Sequence, residues 1–244
     1  LAVSAEGVFP RRIASTLTAP LVAQAPEIDG NLSDPAWTEA QPVRDFCWTK
    51  SVNFPTEGFV CRDSQYLYVA ARCTEPVLEK LVTENRGSAL WKNDCIELFV
   101  VPEKKTLFYA HLILSCDGQW AGTTWVPDEW GEPTRGRQIG LKYAVGREKD
   151  AWTMEVAIPL SAFGYPVSEN SVWAFGFNRE KHTEPAEVSS YQGGFHKPDQ
   201  YPDLVFGSRQ IIADGLGVRN AGSRPVQVRV RLTGTRGATG ERMT

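Results

Sequence analysis

Apolar and polar positions alternate with a period of two through most of this chain, the pattern of strands that bury one face. Segments 66–73, 107–115, 139–145, 151–158 and 172–178 each carry it, are rich in β-branched and aromatic residues, and end near Gly, Asp, Asn or Pro. Each predicts a strand. Stretches 59–61 and 66–69 flank Arg62, Asp63, Ser64 and Gln65, a turn-forming sequence that predicts a tight hairpin. Asp117 and Gly118 predict a second turn, closing the strand that contains His111. Helical signals are short. Asp34 before Pro35 predicts a helix start, and Pro42 limits that helix to about two turns. Residues 75–84 predict another brief helix and 159–164 a single turn. None is long enough to organise the fold, so the class is all-β with minor helix, and many short strands imply a sandwich or a barrel.

Composition shifts after Gly207. Residues 208–244 contain no Trp, Tyr, Phe or Cys, yet Val226, Val228, Val230 and Leu232 alternate with Gln227, Arg229, Arg231 and Thr233. That predicts one strand without neighbours, which cannot bury its own face. Residues 208–244 are therefore expected to be a separate tail or a truncated second β-domain, after a β-domain over 22–207 and an N-terminal extension over 1–21. Residues 1–5 end in a small-x-small pattern that reads equally as the end of a secretory signal or as an arbitrary start.

A net charge of −3 provides no clustered basic footprint, which argues against nucleic acid as a partner. Apolar runs are strand-sized and fall short of the roughly 20 residues of a membrane helix, so no membrane insertion is expected. Cys47, Cys61, Cys73, Cys95 and Cys116 show no C-x-x-C spacing, which leaves zinc-ribbon and thioredoxin chemistry unsupported. Their apolar strand contexts favour small buried hydrophobes over disulfides.

The segment from Trp91 to Val101 joins a polar, tryptophan-bearing loop to a strand that is apolar on both faces except at Glu97. Burying a lone carboxylate costs several kcal/mol, so Glu97 either pairs with an arginine or lines a pocket where a ligand supplies partners. Aromatic rings in polar loops suit sugars, whose C–H faces stack on π surfaces while polar neighbours satisfy the hydroxyls. Trp120, Trp125 and Trp130 fall in one such stretch, and Tyr191 in another. Tyr191 across a cleft from Trp91 would sandwich a ring, with Glu97 accepting hydroxyl hydrogen bonds beneath. Asn178, Arg179 and Glu180 add donors and acceptors at the end of their strand; the plainer alternative is a solvated strand end. His111, His182 and His196 show no metal-ligand spacing, and no G-x-S-x-G elbow or nucleophilic cysteine context is present, so catalysis is not expected. A haem site through Met154 is disfavoured because Trp152, Met154, Val156 and Ile158 form one apolar strand face.

Five segments, in order, carry a family resemblance: 28–37, 63–69, 91–99, 152–159 and 175–178, which include Asp29-Gly30, Asp34-Pro35, Trp91, Asn93-Asp94, Glu97 and Asn178. Together they resemble the family 9 carbohydrate-binding modules and their DOMON-like relatives, over residues 22–207. The resemblance implies a two-sheet antiparallel β-sandwich of the jelly-roll or immunoglobulin-like kind. It further implies an extracellular or periplasmic setting beside other domains of the same polypeptide, and a non-catalytic grip on a saccharide chain end or short oligosaccharide. Carried over by position, Trp91 matches one clamp aromatic, Glu97 the sugar-binding carboxylate, and Tyr191 the place of the second clamp aromatic, usually a tryptophan. An arginine that contacts sugar in family members is replaced by an apolar residue near Ile113. No cofactor is required, although relatives hold structural calcium; no acidic loop here marks a site for it. A scaffold domain that has kept the fold without sugar binding is the alternative.

Overall fold

The structure, a computed structural model, describes residues 16–47, 52–103, 108–127, 133–169, 171–191, 194–207, 211–214, 217–220, 228–233 and 239–243. In chain order the elements are β1 (Thr16–Ala19), helix α1 (Pro35–Glu39), β2 (Gln41–Val43), β3 (Thr56–Arg62), β4 (Tyr66–Thr74), β5 (Cys95–Val101) and β6 (Tyr109–Ser115). They continue with β7 (Trp120–Pro127), β8 (Pro133–Gln138), β9 (Lys142–Arg147), β10 (Ala151–Pro159), β11 (Val172–Lys181), β12 (Glu187–Ser190) and β13 (Asp203–Phe206). One sheet runs β1-β13-β11-β5-β6-β7-β8, with β12 also paired to β11; the other runs β2-β3-β4-β10-β9. The β1–β13 pairing is parallel, whereas the pairings across the rest of both sheets are antiparallel.

The period-two pattern explains the layering. Ile96, Leu98 and Val100 of β5 and Phe175 and Phe177 of β11 meet Leu67 and Val69 of β4 and Trp152, Met154 and Val156 of β10 in one core. This is the expected sandwich, and Met154 is fully buried in it. The Asp29-Gly30…Trp37 motif is a staple on the second sheet. The Glu155 carboxylate accepts hydrogen bonds from the Asp29 and Gly30 amides at 3.0 and 2.6 Å and from Trp37 Nε1 at 2.6 Å. Thr153 Oγ1 donates to the Gly30 carbonyl at 2.6 Å. Gly30 takes φ +92°, and a Cβ there would lie 2.4 Å from the Val145 backbone, so the close approach needs glycine.

Several expectations change. Residues 75–84 form only a three-residue 3-10 turn, Leu78–Lys80, because the segment is pinned instead by a reciprocal backbone and side-chain contact between Val82 and Asp94. A further 3-10 turn, Gly87–Lys92, carries Trp91. The Asp34 side chain does not cap α1; its Oδ2 accepts the Glu27 amide at 2.9 Å. The boundary at residue 22 falls inside the fold, since β1 belongs to the larger sheet. In the tail, β14 (Ile211–Asp214) pairs with β15 (Gly217–Asn220) and β16 (Val228–Thr233) with β17 (Thr239–Met243), so the strand expected to stand alone has a partner. Cys61, Cys73, Cys95 and Cys116 are buried free thiols.

Candidate functional site

The outer face of the larger sheet gathers the polar groups. Register places Ser190, Asn178, Glu97, Ile113 and Ala121 on one rung across β12, β11, β5, β6 and β7. The next rung on one side holds Gly176, Phe99, His111 and Thr123. Glu180 stands opposite Cys95 and Val188 on the β11 side of the other neighbouring pair. Residues 195–201 cover part of this face: Tyr201 packs over Gly176, where a Cβ would sit 2.8 Å from its ring, and Phe195 meets Phe99 edge-on at 6.3 Å. Glycine at 176 therefore makes room for the cover.

Glu97 is buried, and its partner is a histidine: His111 Nε2 lies 2.5 Å from Glu97 Oε2. Ile113 stands opposite Glu97 on β6 and offers it no polar partner. His111 reaches the carboxylate from the adjacent rung. Its ring stacks on Phe99 at 4.4 Å and 6°, and His196 sits edge-on to it at 4.8 Å. Tyr109 Oη is 3.1 Å from His196 Nδ1. Burial, followed by the electrostatic effect of the neighbouring His111, holds the His196 imidazole below its ordinary pKa, with Glu97 acting in the opposite direction. Burial, and then the nearby Glu97 carboxylate, push Glu180 up to about 7. His182 Nε2 lies 3.8 Å from Glu180.

Asn178 is wholly buried, yet neither its Nδ2 nor its Oδ1 has a hydrogen-bond partner among the described residues. Buried amides are nearly always paired, so an unpaired one beside Glu97 is an unusual feature of this face. Trp91 is 43% exposed, with Lys92 Nζ 5.4 Å from its ring and the His182 ring 6.4 Å away. Its carbonyl receives His182 Nε2 at 3.0 Å, which ties the tryptophan turn to the chain after β11.

Of the expected site residues, Glu97, Asn178 and Glu180 share this face, and Trp91 stands exposed on the turn that leads into β5. Arg179 does not join them. Alternation along β11 turns it inward, where its guanidinium donates to the Phe54 and Thr74 carbonyls at 2.9 and 2.8 Å. Tyr191 is half-buried: its ring lies 6.0 Å from that of Phe46 and one side packs against the inter-sheet core. Trp125 stands opposite Tyr109 and Arg135 in register, and Trp130 lies outside the described residues. Sequence reasoning passed over His111 and His196 because they lack any spacing signal. The available clue was that His111 shares strand parity with Tyr109 and Ile113.

Burial pushes the Cys61 and Cys116 thiols up to about 12 and that of Cys73 up to about 11, which disfavours the nucleophilic thiolate at these three positions. For structural calcium, which takes hard oxygen ligands, the ligand cluster among the described residues is a poor fit, since two of its three members are imidazoles.

Residues 28–192 match the family described as carbohydrate family 9 binding domain-like. The chain belongs to this family. A family 9 carbohydrate-binding module from Caldicellulosiruptor kristjanssonii, solved in complex with cellotriose, is 14% identical with a TM-score of 0.61, covering 80% of this chain and 95% of that one. A module from the same organism in complex with glucose is 16% identical with a TM-score of 0.60, covering 80% and 97%. At such identities the likeness is one of fold, and it agrees with the β-sandwich described above. No curated protein matches the chain. The family 9 match spans the glycine staple, the Trp91 turn, Glu97 and the Asn178 rung, and ends just after Tyr191. No helix among the described residues is long and apolar enough to cross a membrane.

Proposed function

We propose that this family 9 domain binds a saccharide on the outer face of its larger sheet and does not cleave it. The observation that carries the reading is the rung formed by Asn178 and Glu97: a buried amide with no protein partner beside a buried carboxylate. A sugar's vicinal hydroxyls both donate and accept, so they complement an acceptor-only carboxylate and a mixed donor–acceptor amide placed side by side. Exposed Trp91 supplies a stacking surface at the rim. A chain end or short oligosaccharide fits best, because residues 195–201 roof the sheet on one side of the rung. Tyr191, Trp125 and Trp130 remain candidate flanking aromatics, while Arg179 supports the site from the interior. Family membership favours an extracellular or periplasmic home beside other domains of the same polypeptide.

Affinity electrophoresis or calorimetry with glucose, cellobiose and mixed oligosaccharides tests the reading. Wild type is expected to bind at least one ligand class, and Trp91→Ala to weaken that binding by about tenfold or more, in line with loss of an aromatic–sugar stack. Absence of binding by wild type across the panel, or equal binding by Trp91→Ala, supports the scaffold alternative. Release of reducing ends from a bound oligosaccharide contradicts the non-catalytic half of the proposal.

A further inference from the structure

We propose that the same outer face holds one divalent transition-metal ion of the zinc type, with Glu97, His111 and His196 as its protein ligands. One donor atom from each of the three lies within 4.8 Å of the others. Zinc–nitrogen bonds are about 2.0–2.1 Å long, so two donors on one ion stand no more than about 4 Å apart. The remaining closure falls to His196, on the loop that covers this face, while Glu97 and His111, 2.5 Å apart in a direct contact, part to about 3.3 Å to admit the ion.

Four features of the surroundings belong to a ligand set rather than to a chance cluster. His111 is held flat on Phe99, which fixes its ring plane. Tyr109 Oη engages Nδ1 of His196 and leaves Nε2 for the ion, the outer contact that commonly orients a metal-binding imidazole. His196 takes a left-handed backbone conformation, φ 53°, which residues other than glycine rarely adopt and which concentrates at functional positions. Asn178, fully buried and without a protein partner, stands next to Glu97 on its rung, placed to hydrogen-bond a molecule on the ion's open side.

Charge points the same way. Among the described residues, the ion-pair partners of Glu97 and Glu180 on this face are the histidines His111 and His182, not lysine or arginine. Two imidazoles and one carboxylate form a borderline donor set that suits zinc, cobalt or nickel and not magnesium or calcium. Three protein ligands leave coordination positions open, where water or a sugar hydroxyl can bind.

Untagged protein stripped with EDTA and titrated with zinc chloride is expected to take up one equivalent, with no response to magnesium or calcium chloride. His196→Ala, which alters an exposed side chain, is expected to abolish that binding. Tyr109→Phe weakens it by about tenfold. Cobalt(II) in place of zinc should give visible absorption that His196→Ala removes. Wild type that takes up no zinc, or zinc binding that survives both His196→Ala and His111→Ala, overturns the proposal. The titration contains no sugar, so its failure and failure of the saccharide reading are distinguishable.

Discussion

Glu97 and Asn178 sit on one rung but carry different costs. Glu97 has His111 against it, whereas neither atom of the Asn178 amide has a protein partner among the described residues. An unpaired buried polar group costs about 1–3 kcal/mol, a penalty that a ligand's hydroxyls remove on binding. Asn178→Leu, close in volume and without polar atoms, is therefore expected to hold or raise the thermal midpoint of the free protein. It should also lower saccharide affinity by on the order of tenfold, the equivalent of about 1.4 kcal/mol. Thermal unfolding and calorimetry on the same samples check both halves, and a lower midpoint with intact affinity contradicts the assignment. Glu97 was legible in the sequence because it interrupts an apolar strand. Arg179 was legible too, had parity been enforced: if Asn178 and Glu180 face outward on β11, the residue between them faces in. His111 and His196 were not legible, because their meeting depends on the β5–β6 register and on a loop backbone at positive φ, neither of which leaves a trace in spacing.

At the level of elements, Asp94 connects the tryptophan turn to the sheet. Its buried carboxylate accepts the Val82 amide at 2.8 Å, the His182 amide at 3.1 Å and Thr183 Oγ1 at 2.5 Å. Asn93 does the same locally, donating to Ser115 Oγ at 3.0 Å and receiving the Asn85 amide at 2.9 Å. These bonds hold the segment before β5 and the chain after β11 in place of a regular helix, which is why helical patterning at 75–84 did not mature. They also set the position of Trp91. Hydrogen bonds to a charged group are worth about 1.5–3 kcal/mol each, so Asp94→Ala is expected to cost about 3 kcal/mol or more and to lower the thermal midpoint by roughly 5–10 °C. Saccharide binding should fall with it even at temperatures where the variant is folded, because the turn that presents the indole loses its anchor. An Asp94→Ala protein that melts like wild type refutes this account. The strands themselves were legible because period-two patterning fixes type and parity; their ends were not, since contacts made far along the chain decide where pairing stops.

For the molecule as a whole, the segment that precedes residue 22 joins the two sheets. β1 lies parallel to β13 in the larger sheet, and Thr18 Oγ1 donates to Gln41 Oε1 of β2 at 2.9 Å. Immediately afterwards the chain crosses to the smaller sheet: the Arg62 amide donates to the Pro20 carbonyl and the Val22 amide to the Arg62 carbonyl, each at 2.9 Å. Leu17 and Ala19 are buried in the shared core. The boundary expected at 22 passed over β1, which is only four residues long and too short for its alternation to register. A protein spanning 22–207 would lose the Leu17 side chain, worth about 2–5 kcal/mol on removal from a core, and would expose the β13 edge as a template for pairing with another chain. A protein spanning 16–207 keeps both. The longer form is expected to melt as the full chain does and to elute as a monomer, since the pairings of β1 to β13 involve no residue after Phe206. The shorter form should melt several degrees lower and self-associate as concentration rises. Scanning calorimetry and size-exclusion chromatography of the two proteins decide the matter, and equal midpoints would place β1 outside the folding unit.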